Sequence, residues 1–181
     1  MKEMLAKNGP VAELEKMKKE GIIINIGISG GPIDMLLQFV KTGRFDAVIT
    51  HNRWNLLYQI ADPLIETAYN MGMGIVNAAP YASGILVTGA NKDSRALYKA
   101  PSQKIIKRVN LIEAECKKNN IPLGMAALQF SLNDPRINST VVGISSPEQI
   151  EEILYFSKFT IPDNFWKKIN SFAITNQDPE G

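Results

Sequence analysis

Four times along this chain a short apolar run ends in a Gly/Ser/Pro-rich edge and gives way to a helical pattern. The edges are IGISGG around Ser29, VITHNRW around His51, IVNAAPYASG around Pro80 and VVGISSPEQIEE around Ser145. Strands that alternate with helices in this way build parallel sheets, because each strand must return over a helix before it can pair in the same direction. The units recur roughly every 25–30 residues, the length of one βα unit of a barrel. A longer irregular insertion from Ile85 to about Ser102 interrupts the series. In such folds ligands bind where the strands end, and the loops after the last two strands of an eightfold barrel often form a phosphate site.

The punctuation between the strands is explicit. Asn8, Gly9 and Pro10 open a helix with Val11, Leu14 and Met17 on one side, and Gly21 ends it. IIINIGIS then reads as a continuous β-branched strand buried on both faces. A helix from about Gly31 to Thr42 leads to FDAVITHNRW; Asp62 as cap and Pro63 in the first turn open the next, ending near Gly72 before GIVNAAP. Ile105, Val109, Ile112 and Cys116 share one face of a helix over Lys104 to Asn119. Pro122 opens a shorter helix, STVVGIS is the last strand, and helices from Pro147 and from Asp163 to Phe172 close the pattern.

A small doubly wound sheet fits the same alternation, but no strand is followed by GxGxxG. The polar candidates sit at successive strand ends, which in a barrel converge on one mouth. The expected architecture is therefore α/β and TIM-barrel-derived, about the last four units of a (β/α)8 barrel, in a single domain over residues 1–181.

Composition sets the remaining limits. Twenty Lys/Arg against 18 Asp/Glu leave a net charge of +2, without a block of either sign, so neither nucleic acid nor a membrane surface is an expected partner. Cys116 is the single cysteine and no metal-ligand spacing occurs, which points away from disulfides and metal. No apolar run reaches the length of a membrane span, and the expected location is the cytoplasm.

The segments LEKMKKEG, IGISG, FDAVITHNRWNLL, GIVNAAPYASGIL, ALQFSLNDPRI and VVGISSPEQIEE, in that order, resemble the C-terminal half of the aldo-keto reductases. Within that family the chain is most similar to sugar dehydrogenases acting on fucose, galactose or arabinose. The resemblance covers nearly the whole chain. It implies a (β/α)8 barrel that moves a hydride between NAD or NADP and a carbonyl or alcohol. It also implies that the proton-donating tyrosine and its lysine, aspartate and histidine partners belong to the first half of the barrel. Tyr58, Tyr69, Tyr81 and His51 do not match those positions, so no catalytic residue is expected here.

The resemblance instead implies a cofactor-binding half. Ser29 matches a contact to the nicotinamide carboxamide, although a serine closing a strand also bonds its own turn. The asparagine usual after it is Gly30, and His51 stands where a glutamine touches the same carboxamide; a lone histidine at a strand end is equally a rim or core residue. Ala78 replaces the stacking aromatic, leaving Trp54 as platform or as packing. Tyr81, Ser83, Gly84 and Leu86 match the loop whose backbone amides cradle the pyrophosphate; by itself PYASGIL is also an ordinary turn.

Gly143, Ser145, Gln149 and Glu152 match positions around the adenosine ribose phosphate and the adenine, at the start of a helix whose dipole favours a phosphate. The same residues read as a capping box, with Ser146 and Gln149 flanking Pro147. Members that prefer a 2′-phosphate commonly carry arginine at the position of Gln149, and the asparagine expected after Glu152 is Ile153; NAD and NADP both stay open.

Four strands cannot close a barrel, so open edges are expected. They would be met by a complementary half-barrel chain, by self-association, or not at all in a truncated product. The expected function is that of the cofactor half of an aldose dehydrogenase-like oxidoreductase. The alternatives are a non-catalytic dinucleotide-binding or interaction module and a barrel enzyme of another phosphate-binding kind.

Overall fold

A computed structural model describes residues 1–96 and 99–172. In chain order the long elements are α1 (Pro10–Lys19), β1 (Gly27–Ser29), α2 (Ile33–Val40), β2 (Ala47–His51), α3 (Asp62–Asn70) and β3 (Gly74–Ala78). A turn of 3-10 helix (Ala82–Gly84) and the one-turn α4 (Ile85–Thr88) follow. Then come α5 (Gln103–Lys118), α6 (Leu123–Leu132), β4 (Ser139–Val141), α7 (Pro147–Ser157) and α8 (Asp163–Asn170). All the strands are parallel and lie in the order β1-β2-β3-β4. A doubly wound sheet needs a reversal of strand order; this order has none and advances one strand per unit, as a barrel does.

Register divides the sheet into two faces. Ile28, Val48 and Ile75 align in one row, and Thr50, Asn77 and Thr140 in another. These rows point toward the helices, and Val48, Thr50, Ile75 and Asn77 are buried there. On the opposite face the rows are Gly27, Ala47, Gly74, then Ser29, Ile49, Val76, Ser139, then His51, Ala78, Val141. None of these side chains is buried, and Val141 is 51% exposed. The helices cover one face of the sheet, and the face that lines the interior of a barrel is bare.

Two apolar clusters form beneath the covered face. One joins Val11, Leu36, Val40, Val48, Leu64, Ile65 and Ile75; the other joins Leu57, Ile85, Leu86, Val109, Ile112, Met125, Phe156 and Ile169. Phe130 packs against both, within a row of rings in which Trp54 and Trp166 lie 5.5 and 6.4 Å from it. α6 is buried almost all round because small residues let its neighbours close in: a Cβ at Gly124 would stand 3.3 Å from Phe156 and 3.5 Å from Val87. Gln129 Nε2 donates to Phe156 O at 2.6 Å, a carbonyl near the end of α7 that also accepts the Phe159 N–H.

Several local expectations are corrected. The IIINIGIS strand is short, because α1 ends in a Schellman turn at Gly21, with Ile22 N–H on Met17 O and Gly21 N–H on Lys18 O. Asp46 then accepts the Ile26 N–H at 2.7 Å and Lys18 Nζ at 2.6 Å, so pairing starts only at Gly27. Ile22 and Ile24 are left 67% and 83% exposed, not buried on both faces. Asp62 is the first residue of α3 rather than its cap, which is Ala61. The insertion after Ile85 contains α4 and an antiparallel bridge between Ala96 and Lys99. The capping box is displaced by one residue: Ser146 holds the cap position without a side-chain cap bond, and Gln149 Oε1 reaches Ser145 instead.

Cys116 is buried in α5, where burial and the nearby Glu113 and Glu115 push its thiol up to about 12. At neutral pH it is an inert core thiol. No group of His, Cys, Asp and Glu among the described residues is arranged to hold a metal ion, and no helix among them is long and apolar enough to cross a membrane.

Candidate functional site

The ends of β3 and β4 converge. Ala79 N–H donates to Val141 O at 3.2 Å, tying the loop after β3 to the last residue of β4. Backbone strain is concentrated in that loop: Ala79, Ala82, Ser83 and Gly84 have φ of 59°, 47°, 60° and 93°. A non-glycine residue in this left-handed region costs on the order of 1–2 kcal/mol, and such residues cluster at ligand sites. The turn is held by Ala82 N–H on Ala79 O, and by the Gly84 and Leu86 N–H groups, which both donate to Tyr81 O.

Between this loop and α7 lies a cavity of about 410 Å³. Tyr81, Ser83, Gly84, Gly143, Gln149 and Glu152 line it, and Val87, Val142, Ile153 and Phe156 give it apolar walls. A Cβ built on Gly84 or Gly143 would meet nothing within 4 Å, so a ligand can approach bare backbone at both. Apolar walls with few polar groups are the usual make-up of a small-molecule site. Tyr81 is pushed up to about 12 by burial and by the charge of Glu152, so its hydroxyl stays protonated at neutral pH and can donate. Gln149 Oε1 accepts from the Ser145 N–H at 2.7 Å and from the Ser145 hydroxyl at 3.1 Å, which turns the NH2 of Gln149 into its available donor.

The sequence candidates therefore divide. Six of the ten line one cavity. Leu86 is fully buried in the core beneath it and its amide is taken; Ser145 acts on Gln149 rather than on the cavity. Ser29 and His51 lie on the bare face, at the ends of β1 and β2. His51 shares a row with Ala78 and Val141, so that face leads directly to Ala79 and Val142 at the edge of the cavity. His51 Nε2 lies 3.0 Å from Asn52 Nδ2. Trp54 is packing: it is buried against Phe130, with the Arg136 guanidinium 5.3 Å from its ring centre.

Other residues that shape the mouth are not conspicuous in the sequence. Asn77 Nδ2 donates to Trp54 O at 2.9 Å and to Ser131 Oγ at 2.8 Å, and Ser131 Oγ lies 2.7 Å from Thr140 Oγ1. This network joins β3, α6, β4 and the loop after β2 under the strand ends. The alternation of Asn77 with buried Ile75 was the available signal. In the loop after β2, Asn55 Oδ1 accepts the Leu57 and Tyr58 N–H groups, and buried Arg53 donates to His51 O. Arg108 is also buried, donates from Nε to Leu56 O, and is lowered to about 10 by burial.

The sequence profile of the Aldo/keto reductase family matches residues 9–174. Similar curated proteins include a pyridoxal 4-dehydrogenase from Microbacterium luteolum, 27% identical over 94% of this chain and 50% of its own length. A D-threo-aldose 1-dehydrogenase from a Pseudomonas species is 31% identical over 86% of this chain and 48% of its own. An L-galactose dehydrogenase from Arabidopsis thaliana is 28% identical over 78% and 44%. The chain thus spans about half the length of the curated relatives it matches. Among solved structures, the holo form of an aldo-keto reductase from Bacillus halodurans superposes with a TM-score of 0.74 at 19% identity, over 96% of this chain and 60% of that one. At that identity the match speaks for the fold.

Proposed function

The chain belongs to the aldo/keto reductase family, and from that premise we propose that it forms the cofactor side of an NAD(P)-dependent oxidoreductase acting on an aldose. The observation that carries this reading is the cavity where the strained loop after β3 meets α7. It presents bare backbone at two glycines, a protonated phenol, an amide and a carboxylate between apolar walls, a set that suits an adenosine moiety and its phosphate. Ser29 and His51 stand farther along the bare face, where the nicotinamide end would lie. The cofactor, when bound, would supply the hydride. The sugar class follows the aldose and galactose dehydrogenases to which the chain is similar.

The proton for the carbonyl oxygen comes from outside these residues in this reading. Tyr58 is buried in the core and pushed up by burial, Tyr81 is raised further, and Tyr69 stands 51% exposed on α3. For Tyr58 and Tyr81 these influences oppose loss of the phenol proton. The bare face, with exposed Ile49 and Val141 and open strand edges at β1 and β4, suits a complementary half-barrel or a second copy of this chain. Both reactants' sites would then be completed across that face, in a location expected to be the cytoplasm.

Thermal unfolding with and without NADH or NADPH tests the cofactor reading, because a ligand that binds only the folded form raises the melting temperature. A rise of several degrees at millimolar dinucleotide is expected. A curve unchanged by either would refute it.

A further inference from the structure

We propose that the cleft between α8 and the turn leading into β4 is a binding site for a neutral saccharide, a hexopyranoside stacked on Trp166. It is separate from the cavity described above: residues 133–136 precede the first residue of β4, whereas that cavity lies past its last.

The cleft follows from the sequence of α8. Asp163, Trp166 and Asn170, spaced by three and four, share one helical stripe, while Phe165 and Ile169 turn into the core. That stripe and residues 133–136 line one cavity of about 610 Å³, within the range of small-molecule sites, about 300–1,000 Å³. Trp54, Phe130 and Trp166 form an aromatic wall, with neighbouring ring centres 5.5 and 6.4 Å apart. Trp54 is buried behind it, whereas Phe130 and Trp166 are only half-buried. The contact with buried Phe165, at 5.2 Å and 81°, holds the Trp166 ring in place.

The polar groups decide the ligand. Asn133, Thr160, Asp163 and Asn170 all line the cleft, and none of their side chains is engaged by another described residue. Two carboxamides, a hydroxyl and a carboxylate offer donors and acceptors together, which the hydroxyls of a sugar match. The C–H face of a pyranose ring suits the electron-rich face of an indole. An anionic ligand is disfavoured, because Asp62, Glu66 and Asp134 outweigh the charge of the Arg136 they share, and Asp163 adds another carboxylate. An organic cation is disfavoured as well. The aromatic wall already carries one, the Arg136 guanidinium 5.3 Å from the Trp54 ring centre, and a second would be repelled by it.

Both tryptophans of the chain line this cleft, so the intrinsic fluorescence of the full chain reports on it. Methyl β-D-glucopyranoside and methyl β-D-galactopyranoside, titrated in turn without dinucleotide, test the proposal. Their anomeric oxygen is capped, so neither is an aldose that hydride chemistry could consume. A saturable change in emission is expected with at least one of them, at a Kd of about 1–30 mM, the strength of a few hydrogen bonds and one stacked ring. Asp163→Ala and Asn170→Ala, at exposed positions, should each weaken binding at least threefold while keeping the wild-type circular dichroism, and Trp166→Leu should abolish it. A linear or absent response to both glycosides overturns the proposal, as does saturable binding that ignores all three variants. Saturation by tetramethylammonium chloride in place of the glycosides would assign the cleft to an organic cation and overturn the saccharide reading.

Discussion

Arg136 holds the far side of the sheet together, and its removal has a calculable cost. Its guanidinium makes a two-pronged contact with Asp134, Nε to Oδ1 at 3.0 Å and Nη2 to Oδ2 at 2.8 Å. Nη1 reaches Asp62 at 2.9 Å and Glu66 at 3.0 Å on α3, and the plane stacks on Trp54. In Arg136→Ala, the Asp134 side chain, 9% exposed, loses its cation and keeps the backbone N–H of residue 136 and the Trp54 side chain beside it. Stranding a buried carboxylate costs about 3–5 kcal/mol, and the part-exposure of Arg136 places this pair toward the lower end. Asp62 and Glu66, both more than half exposed, add at most a few tenths each, and the stacking on Trp54 about 0.5–1 kcal/mol. The expected loss is about 4 kcal/mol in urea-induced unfolding at pH 7. In a double-mutant cycle with Asp134→Ala the pair should couple by about 1–3 kcal/mol. A loss below about 1 kcal/mol, or additive single variants, would show instead that the cluster is a solvated surface array.

The same pair sets an acid response. Burial pushes the Asp134 carboxyl up, but the Arg136 guanidinium and amide outweigh it, and the net value lies below the ordinary 3.8. Its contribution is therefore complete above about pH 4 and lost as pH falls through the depressed folded value; the gap between wild type and Arg136→Ala should shrink over that interval in urea titrations. Asn77→Ala removes donors to Trp54 O and Ser131 Oγ and should cost about 1–3 kcal/mol, read by thermal unfolding; a neutral outcome would mean that water replaces the amide. Gly143→Trp fills open space, so it should abolish the dinucleotide-dependent rise in melting temperature without lowering the unliganded value, and retention of the rise would place the ligand elsewhere.

Parallel strands in sequential order were legible because each strand is short, apolar and followed by a capped helix. Their extents were less legible. β1 is limited by the start of its partner and by the Asp46 side chain, neither of which the isoleucines of IIINIGIS record. Gln149 was visible as a capping residue, but the backbone alone decides whether it reaches Ser145 or Ser146. The cavity residues came from two segments more than fifty positions apart and were found through family resemblance rather than pattern. That Leu86 turns into the core instead follows from the helical turn of α4, which the Gly/Ser-rich sequence concealed. The Asn-Asp-Pro of the LNDPRI segment is a turn signal, and there Arg136 N–H bonds Asp134 Oδ1. The reach of Arg136 to α3 across seventy residues leaves no local trace.

Mapping of backbone amide shifts by 1H–15N correlation as NADH is added to the full chain locates the dinucleotide. The largest shifts should fall on Tyr81–Gly84 and Gly143–Glu152, with smaller ones at Ser29 and His51. No shifts, or shifts confined to other surfaces, would contradict a dinucleotide site at the ends of β3 and β4.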